Sequence, residues 1–71
     1  MIKITRRNLK KDVNPFYVVT REGRRVEDVN YTDLSSAELR AEKLIHMIKE
    51  YSPHERDSVI IVYTSEPYKI R

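Results

Sequence analysis

The chain has no cysteine and no tryptophan, only one glycine among its 71 residues, and no long apolar run. Without cysteine, neither a disulfide framework nor a thiolate metal site can form, which suits a reducing compartment. A single glycine excludes the phosphate-binding loops that need several glycines. The longest apolar run, Val59–Tyr63, is far shorter than the roughly 20 residues of a membrane span. We therefore expect a cytoplasmic protein that does not enter a membrane.

Charge is distributed unevenly along the chain. The formal net charge is only +3, yet residues 1–25 carry eight basic and two acidic side chains, a net charge of +6. Residues 26–66 carry four basic and nine acidic side chains, a net charge of −5. Such asymmetry can orient a polyanion or an acidic protein surface on the basic part. A mixed, solvated surface that keeps a small protein dissolved is the alternative interpretation.

The segment Leu34–Tyr51 predicts an amphipathic helix. Ser35 and Glu38 have the spacing of a capping box at its start. Ser52-Pro53 marks its end, because a residue before proline disfavours the helical conformation. Apolar side chains recur at the helical period and form one stripe: Ala37, Ala41, Leu44, Ile45, Ile48 and Tyr51.

Strand signals flank this helix on both sides. Glu22-Gly23 predicts a tight hairpin turn, since glycine readily takes the positive φ that such turns require. Alternating or β-branched composition is typical of strands and occurs in these segments: Ile2–Thr5, Phe16–Arg21, Arg24–Tyr31 and Ser58–Thr64. The polar segments Arg6–Asn14 and Pro53–Asp57 are interpreted as connections, and Tyr68–Arg71 as a short edge strand.

These elements predict one α+β domain over residues 1–71. We expect a single small sheet, made of a β-hairpin and flanking strands, with the amphipathic helix packed on one face. The expected order is β-β-β-α-β, with a short C-terminal strand as an optional addition.

The last main strand is apolar on both faces, which bears on function. Ile60 and Val62 alternate with Val59, Ile61 and Tyr63, and one helix covers only one face of a sheet. An uncovered apolar face would mark an interface with a partner protein or with a second copy in a homodimer. In the alternative interpretation, the N-terminal loop or the C-terminal tail folds across this face and closes a second core.

The favoured hypothesis is a non-enzymatic, protein-binding regulator or inhibitor. Tyrosine and arginine are favoured at interface hot spots, and the predicted partner-binding residues are Arg21, Arg24, Arg25, Tyr17, Tyr31, Ile60 and Val62. The arrangement loosely looks like that of small phage-encoded proteins that act on host machinery. This resemblance is architectural and involves no motif, so it assigns no residue a role.

A nucleic-acid-binding protein is the alternative, with phosphate contacts from the basic N-terminal half and the hairpin tip. The residues of that site would be Arg6, Arg7, Lys10, Lys11, Arg24 and Arg25. A small ribonuclease toxin is a more remote alternative, because no spacing of His, Arg, Glu and Tyr specifies it. His46 lies between Glu42 and Glu50 on the outer helix face, where charge pairs explain it better than a metal. We expect no catalytic site, metal or cofactor.

Overall fold

The computed structural model describes residues 2–51 and 58–70, with side chains for all of these except 49–51. Its elements are β1 (Lys3–Arg7), β2 (Phe16–Arg21), β3 (Arg24–Arg25), α1 (Leu34–Tyr51), β4 (Val59–Thr64) and a 3₁₀ helix (Pro67–Lys69). The predicted β-β-β-α-β order is confirmed. The predicted connection Pro53–Asp57, including His54, lies outside the described residues.

One mixed sheet of four strands has the order β1-β4-β2-β3. β4 lies in the centre, parallel to β1 and antiparallel to β2. β2 and β3 form the predicted hairpin, in which Glu22 and Gly23 have φ values of 55° and 82°. Positive φ at both turn residues matches the right-handed twist of the flanking strands. In the strand order of the described residues, β1 forms one edge of the sheet.

Three predicted strands have different bounds, and β4 differs only in beginning at Val59 rather than at Ser58. β1 continues to Arg7, because β4 offers partners up to Thr64. The second hairpin strand is only Arg24–Arg25, followed by an isolated bridge from Tyr31 to Tyr17. Between them the chain bulges away from β2, so the predicted strand over residues 24–31 is wrong in its middle part.

The helix has the predicted bounds but a different cap. It begins at Leu34, and the carboxylate of Asp33 accepts a hydrogen bond from the Ser36 amide at 3.0 Å. Asp33 is thus the N-cap residue, and the Ser36 hydroxyl donates to the same carboxylate. Ser35 lies inside the first turn, so the predicted capping box at Ser35 and Glu38 is wrong.

The main core lies between the helix and one sheet face. The predicted apolar stripe of α1 supplies the helix side of this core. Tyr51, the last predicted member of the stripe, has no described side chain. The buried members of the cluster are Ala37, Ala41, Leu44, Ile48, Val19, Val59 and Ile61. The helix packs on β4 and β2, the two inner strands, rather than on β1.

A second, smaller core closes the opposite face of the sheet. Ile70, which follows the 3₁₀ helix, packs on Val18 and Val62, with Ile60 at the margin. The predicted C-terminal edge strand is therefore replaced by a 3₁₀ turn that lies across the sheet. Pro67 fixes the first residue of that turn, and the Ile70 amide donates to its carbonyl oxygen at 3.1 Å.

Candidate binding surface

The sheet face that was expected to be open is covered. Val62 is 3% exposed and Val18 is fully buried beneath the C-terminal segment, whereas Ile60 is half-buried. The alternative in which the C-terminal tail closes a second core is the one that the structure adopts. An interface through Val62 would require Ile70 to leave the sheet, so an open interface here, including a homodimer through an uncovered face, loses its structural basis.

Arg25, predicted as a hairpin-tip contact, has structural partners. Its guanidinium donates to the carbonyl oxygen of Glu27 at 3.0 Å, to the Asn30 side chain at 2.6 Å and to the Pro67 carbonyl oxygen at 3.3 Å. These bonds join the loop after β3 to the C-terminal 3₁₀ helix. Arg25 thus holds the cover of the second core in place.

The other two hairpin arginines lie on the opposite face of the hairpin. Arg21 pairs with Arg24 in the β2–β3 register, which places both side chains on the face that carries the helix. Arg24 is exposed and Arg21 is half-buried. Of the predicted hairpin-tip residues, Arg24 is the one fully available to a partner.

The two basic groups proposed for nucleic acid do not meet. Arg7 lies opposite Thr64, and Arg21 lies opposite Val59 at the other end of β4. Five residues of strand separate these positions by roughly 16 Å. Arg7 and the hairpin tip therefore lie toward opposite ends of the sheet.

Lys10 belongs to an ion-pair cluster at the end of β4. Its ammonium lies 2.6 Å from the Glu66 carboxylate, which Lys69 also approaches at 3.0 Å. These hydrogen bonds hold the pKa of Glu66 below its ordinary value and raise the pKa of Lys10. The Ser65 hydroxyl donates to the Asn8 carbonyl oxygen at 2.7 Å and ties the same loop down. Glu66, whose side chain is 7% exposed, was not singled out from the sequence.

Two predicted tyrosines lie on the helix side of the sheet. Tyr17 stacks on Tyr63 of the neighbouring strand, with ring centroids 4.5 Å apart. Tyr31 donates its hydroxyl proton to Glu27 at 2.6 Å, and Arg40 donates to the same oxygen at 2.9 Å. The pKa of Glu27 falls because of the Tyr31 hydrogen bond first and of Arg40 next. The pKa of Tyr31 rises through burial and through the Glu27 hydrogen bond.

The outer edge of β1 is a feature that sequence reasoning missed. Within residues 2–51 and 58–70, no strand pairs with the side of β1 that faces away from β4. Lys3, Arg6 and Arg7 are exposed along this five-residue strand, and Ile4 is 40% exposed. The alternation of Ile2 and Ile4 with Lys3 and Thr5 predicted a strand, but not its place at the edge.

The remaining chemical candidates are exposed side chains. His46 lies on the outer face of the helix, as does Leu39, which is 60% exposed. Within the described residues, no group of three or more His, Asp or Glu side chains is placed to hold a metal ion. No helix in that part of the chain is long and apolar enough to span a bilayer.

Comparisons with known proteins identify no relative. No protein-family model matches the chain, and searches of curated proteins and of solved structures found no significant match.

Proposed function

We propose that this chain is a small, non-enzymatic protein-binding module, a regulator or inhibitor that acts through the open edge of its sheet. The observation that carries the proposal is the edge strand β1, unpaired on its outer side within the described residues. Exposed strand edges pair with other chains, and natural proteins normally shorten or cover them. A phage-type accessory protein that acts on host machinery is the context that we favour.

Structural contacts explain the two carboxylates whose pKa values are lowered, so these groups supply no argument for catalysis. Glu66 contacts Lys10 and Lys69, and Glu27 contacts Tyr31 and Arg40. In both cases a hydrogen bond from a basic or hydroxyl group lowers the pKa of the carboxylate. Such pairs join a loop to the sheet or the helix, which is a structural use of charge.

Affinity capture tests this proposal. The purified protein, immobilised through its C-terminus, is exposed to nuclease-treated bacterial lysate and washed at low and at high salt. We expect one protein to be retained in both washes and, once purified, to form a complex of fixed stoichiometry. Because apolar and main-chain contacts resist salt, retention should survive it. Failure to retain any protein, or recovery of nucleic acid alone, would contradict the proposal.

A nucleic-acid-binding role is the second candidate, and one observation favours it. Arg6 lies opposite Tyr63 in the β1–β4 register, next to the stacked Tyr17–Tyr63 pair. Aromatic faces beside cations are what single strands use for stacking and phosphate contact. Fluorescence anisotropy with labelled single-stranded DNA and RNA tests this role, since phosphate-dominated binding weakens steeply as salt rises.

A further inference from the structure

We propose that β1 accepts, as an added strand, an extended segment of a partner protein with an acidic side chain at each end and an apolar side chain between them. This inference rests on the proposed protein-binding function and specifies the chemistry of the segment that binds. The occupant is a peptide segment rather than a second copy of this chain.

Main-chain geometry supplies the first part of the argument. β1 pairs with β4 on one side, so alternate residues between Lys3 and Arg7 direct their N–H and C=O groups outward. Within the described residues no other strand meets these groups. A partner segment in strand conformation would pair with them and extend the sheet.

Charge selects the ends of the segment. Lys3 and Arg7 lie on the same face of β1, four positions apart, and both are exposed. No carboxylate of the described residues is within ion-pair distance of either side chain. Opposite charges directly across two strands are favourable. Acidic side chains are therefore expected opposite Lys3 and Arg7.

The helix leaves room for an apolar side chain between those ends. Ile4 lies on the helix face, yet it is 40% exposed because α1 packs on β4 and β2. Arg40 contacts Glu27 in the loop after β3, and Leu34 and Ile45 lie on the other flank of the helix, which we therefore expect to lie toward β1. An apolar side chain opposite Ile4 would enter the space between β1 and this flank.

The same charges disfavour a second copy. In an antiparallel pair of β1 strands centred on Thr5, Lys3 of one copy lies opposite Arg7 of the other. Like charges directly opposite one another destabilise a strand pair. Nucleic acid also fits this edge less well, because phosphate oxygens can accept from the outward N–H groups but offer no donor to the outward C=O groups and no apolar group to Ile4.

A pair of matched peptides tests the inference. One peptide carries the core Glu-Thr-Val-Ile-Glu, and its control carries Lys-Thr-Val-Ile-Lys with the same apolar centre. Each is titrated into ¹⁵N-labelled protein while amide chemical shifts are recorded. We expect the shifts to concentrate on residues 3–7 and the acidic peptide to bind about tenfold more tightly than the lysine peptide.

Matched variants of the protein separate the edge from overall charge. The variant K3E/R7E reverses the two charges on β1, and K11E/R24E makes the same change in net charge at exposed positions elsewhere. K3E/R7E should reverse the preference between the two peptides, whereas K11E/R24E should keep it. Because the preference is measured within each variant, a small loss of stability does not affect the comparison.

Three results would overturn the inference: shifts that map outside β1, an unchanged preference in K3E/R7E, or dimers seen by sedimentation whose interface protects β1. The captured partner distinguishes this failure from failure of the proposed function. If that partner binds wild type, K3E/R7E and K11E/R24E equally, protein binding stands but its assignment to the edge of β1 does not. If no partner is captured at all, the function itself is contradicted.

Discussion

Gly23 has a φ of 82° at the hairpin tip, and nothing lies within 4 Å of the position a Cβ would take. Space is therefore available, but the backbone conformation disfavours any L side chain. We expect Gly23→Ala to lower the free energy of unfolding by about 1 kcal/mol, measured by urea denaturation. Glu22, with a φ of 55°, is the matched contrast. Glu22→Asn should be neutral or stabilising, since Asn-Gly is the preferred pair for such turns; equal losses in both variants would contradict the turn geometry.

Arg25 and its neighbour Arg24 have different roles although both are arginines. Arg25→Lys replaces the planar fork that bonds Glu27, Asn30 and Pro67 with a single ammonium group. We expect a loss of about 1–2 kcal/mol in the free energy of unfolding. Arg24→Lys, at an exposed position, should change it by less than about 0.5 kcal/mol. Equal effects would show that Arg25 is not a structural clamp.

The carboxylates of Glu27 and Glu66 predict how stability depends on pH. Both have a pKa in the folded chain below the ordinary value of 4.5. Their stabilising contribution is therefore complete above that value and is lost as the pH falls through the lower, folded pKa. Urea denaturation between pH 7 and pH 3 should show stability falling in the acid range. Glu66→Gln should be less stable at neutral pH and should lose less on acidification; an unchanged slope would contradict the Lys10–Glu66–Lys69 cluster.

At the scale of elements, the C-terminal segment covers one face of the sheet through one side chain. Ile70 is 7% exposed and packs on Val18 and Val62. Ile70→Ala should cost about 2 kcal/mol of unfolding free energy, at the low end for a buried isoleucine because its cluster is small. Tyr68, 70% exposed on the same segment, gives the control. Tyr68→Ala should be nearly neutral, and a loss as large as that of Ile70→Ala would contradict this packing.

The helix and the hairpin were predictable because their signals are local. The apolar stripe of α1 and the Glu22-Gly23 turn each depend on residues a few positions apart. The cover of the second face was only the alternative interpretation of the sequence, because Ile70 alone does not show which of several faces it will meet. Arg25 was assigned to a partner for the same reason, since its acceptors in Asn30 and Pro67 come together only in the folded chain.

The candidate binding surface was even harder to predict from the sequence, because it depends on tertiary structure. The alternation of Ile2 and Ile4 with polar residues predicted a strand. The position of β1 at the edge depends on the parallel pairing of β1 with β4, which is tertiary structure. The sequence did indicate that the N-terminal part is the basic one. Of those basic side chains, Lys10 is paired with Glu66, whereas Lys3, Arg6 and Arg7 are exposed on β1.

At the scale of the whole molecule, one helix cannot cover a sheet of four strands. It packs on the two inner strands, and the C-terminal segment takes part of the opposite face. The outer edge of β1, with its exposed basic side chains and Ile4, stays uncovered by the described residues. A protein of this size buries a limited fraction of its surface, so an open edge is the natural place for a partner to add area.

Amide hydrogen exchange of β1 tests this account most directly. In the free protein, the amides of β1 that point away from β4 should exchange fast while those of β4 are protected, because β4 is paired on both sides and β1 is paired on one. Saturation with the captured partner should slow those outward amides and leave the hairpin tip around Arg24 unchanged. Outward amides already protected in the free protein, or still fast in the complex, would contradict the claim that the edge of β1 is the binding surface.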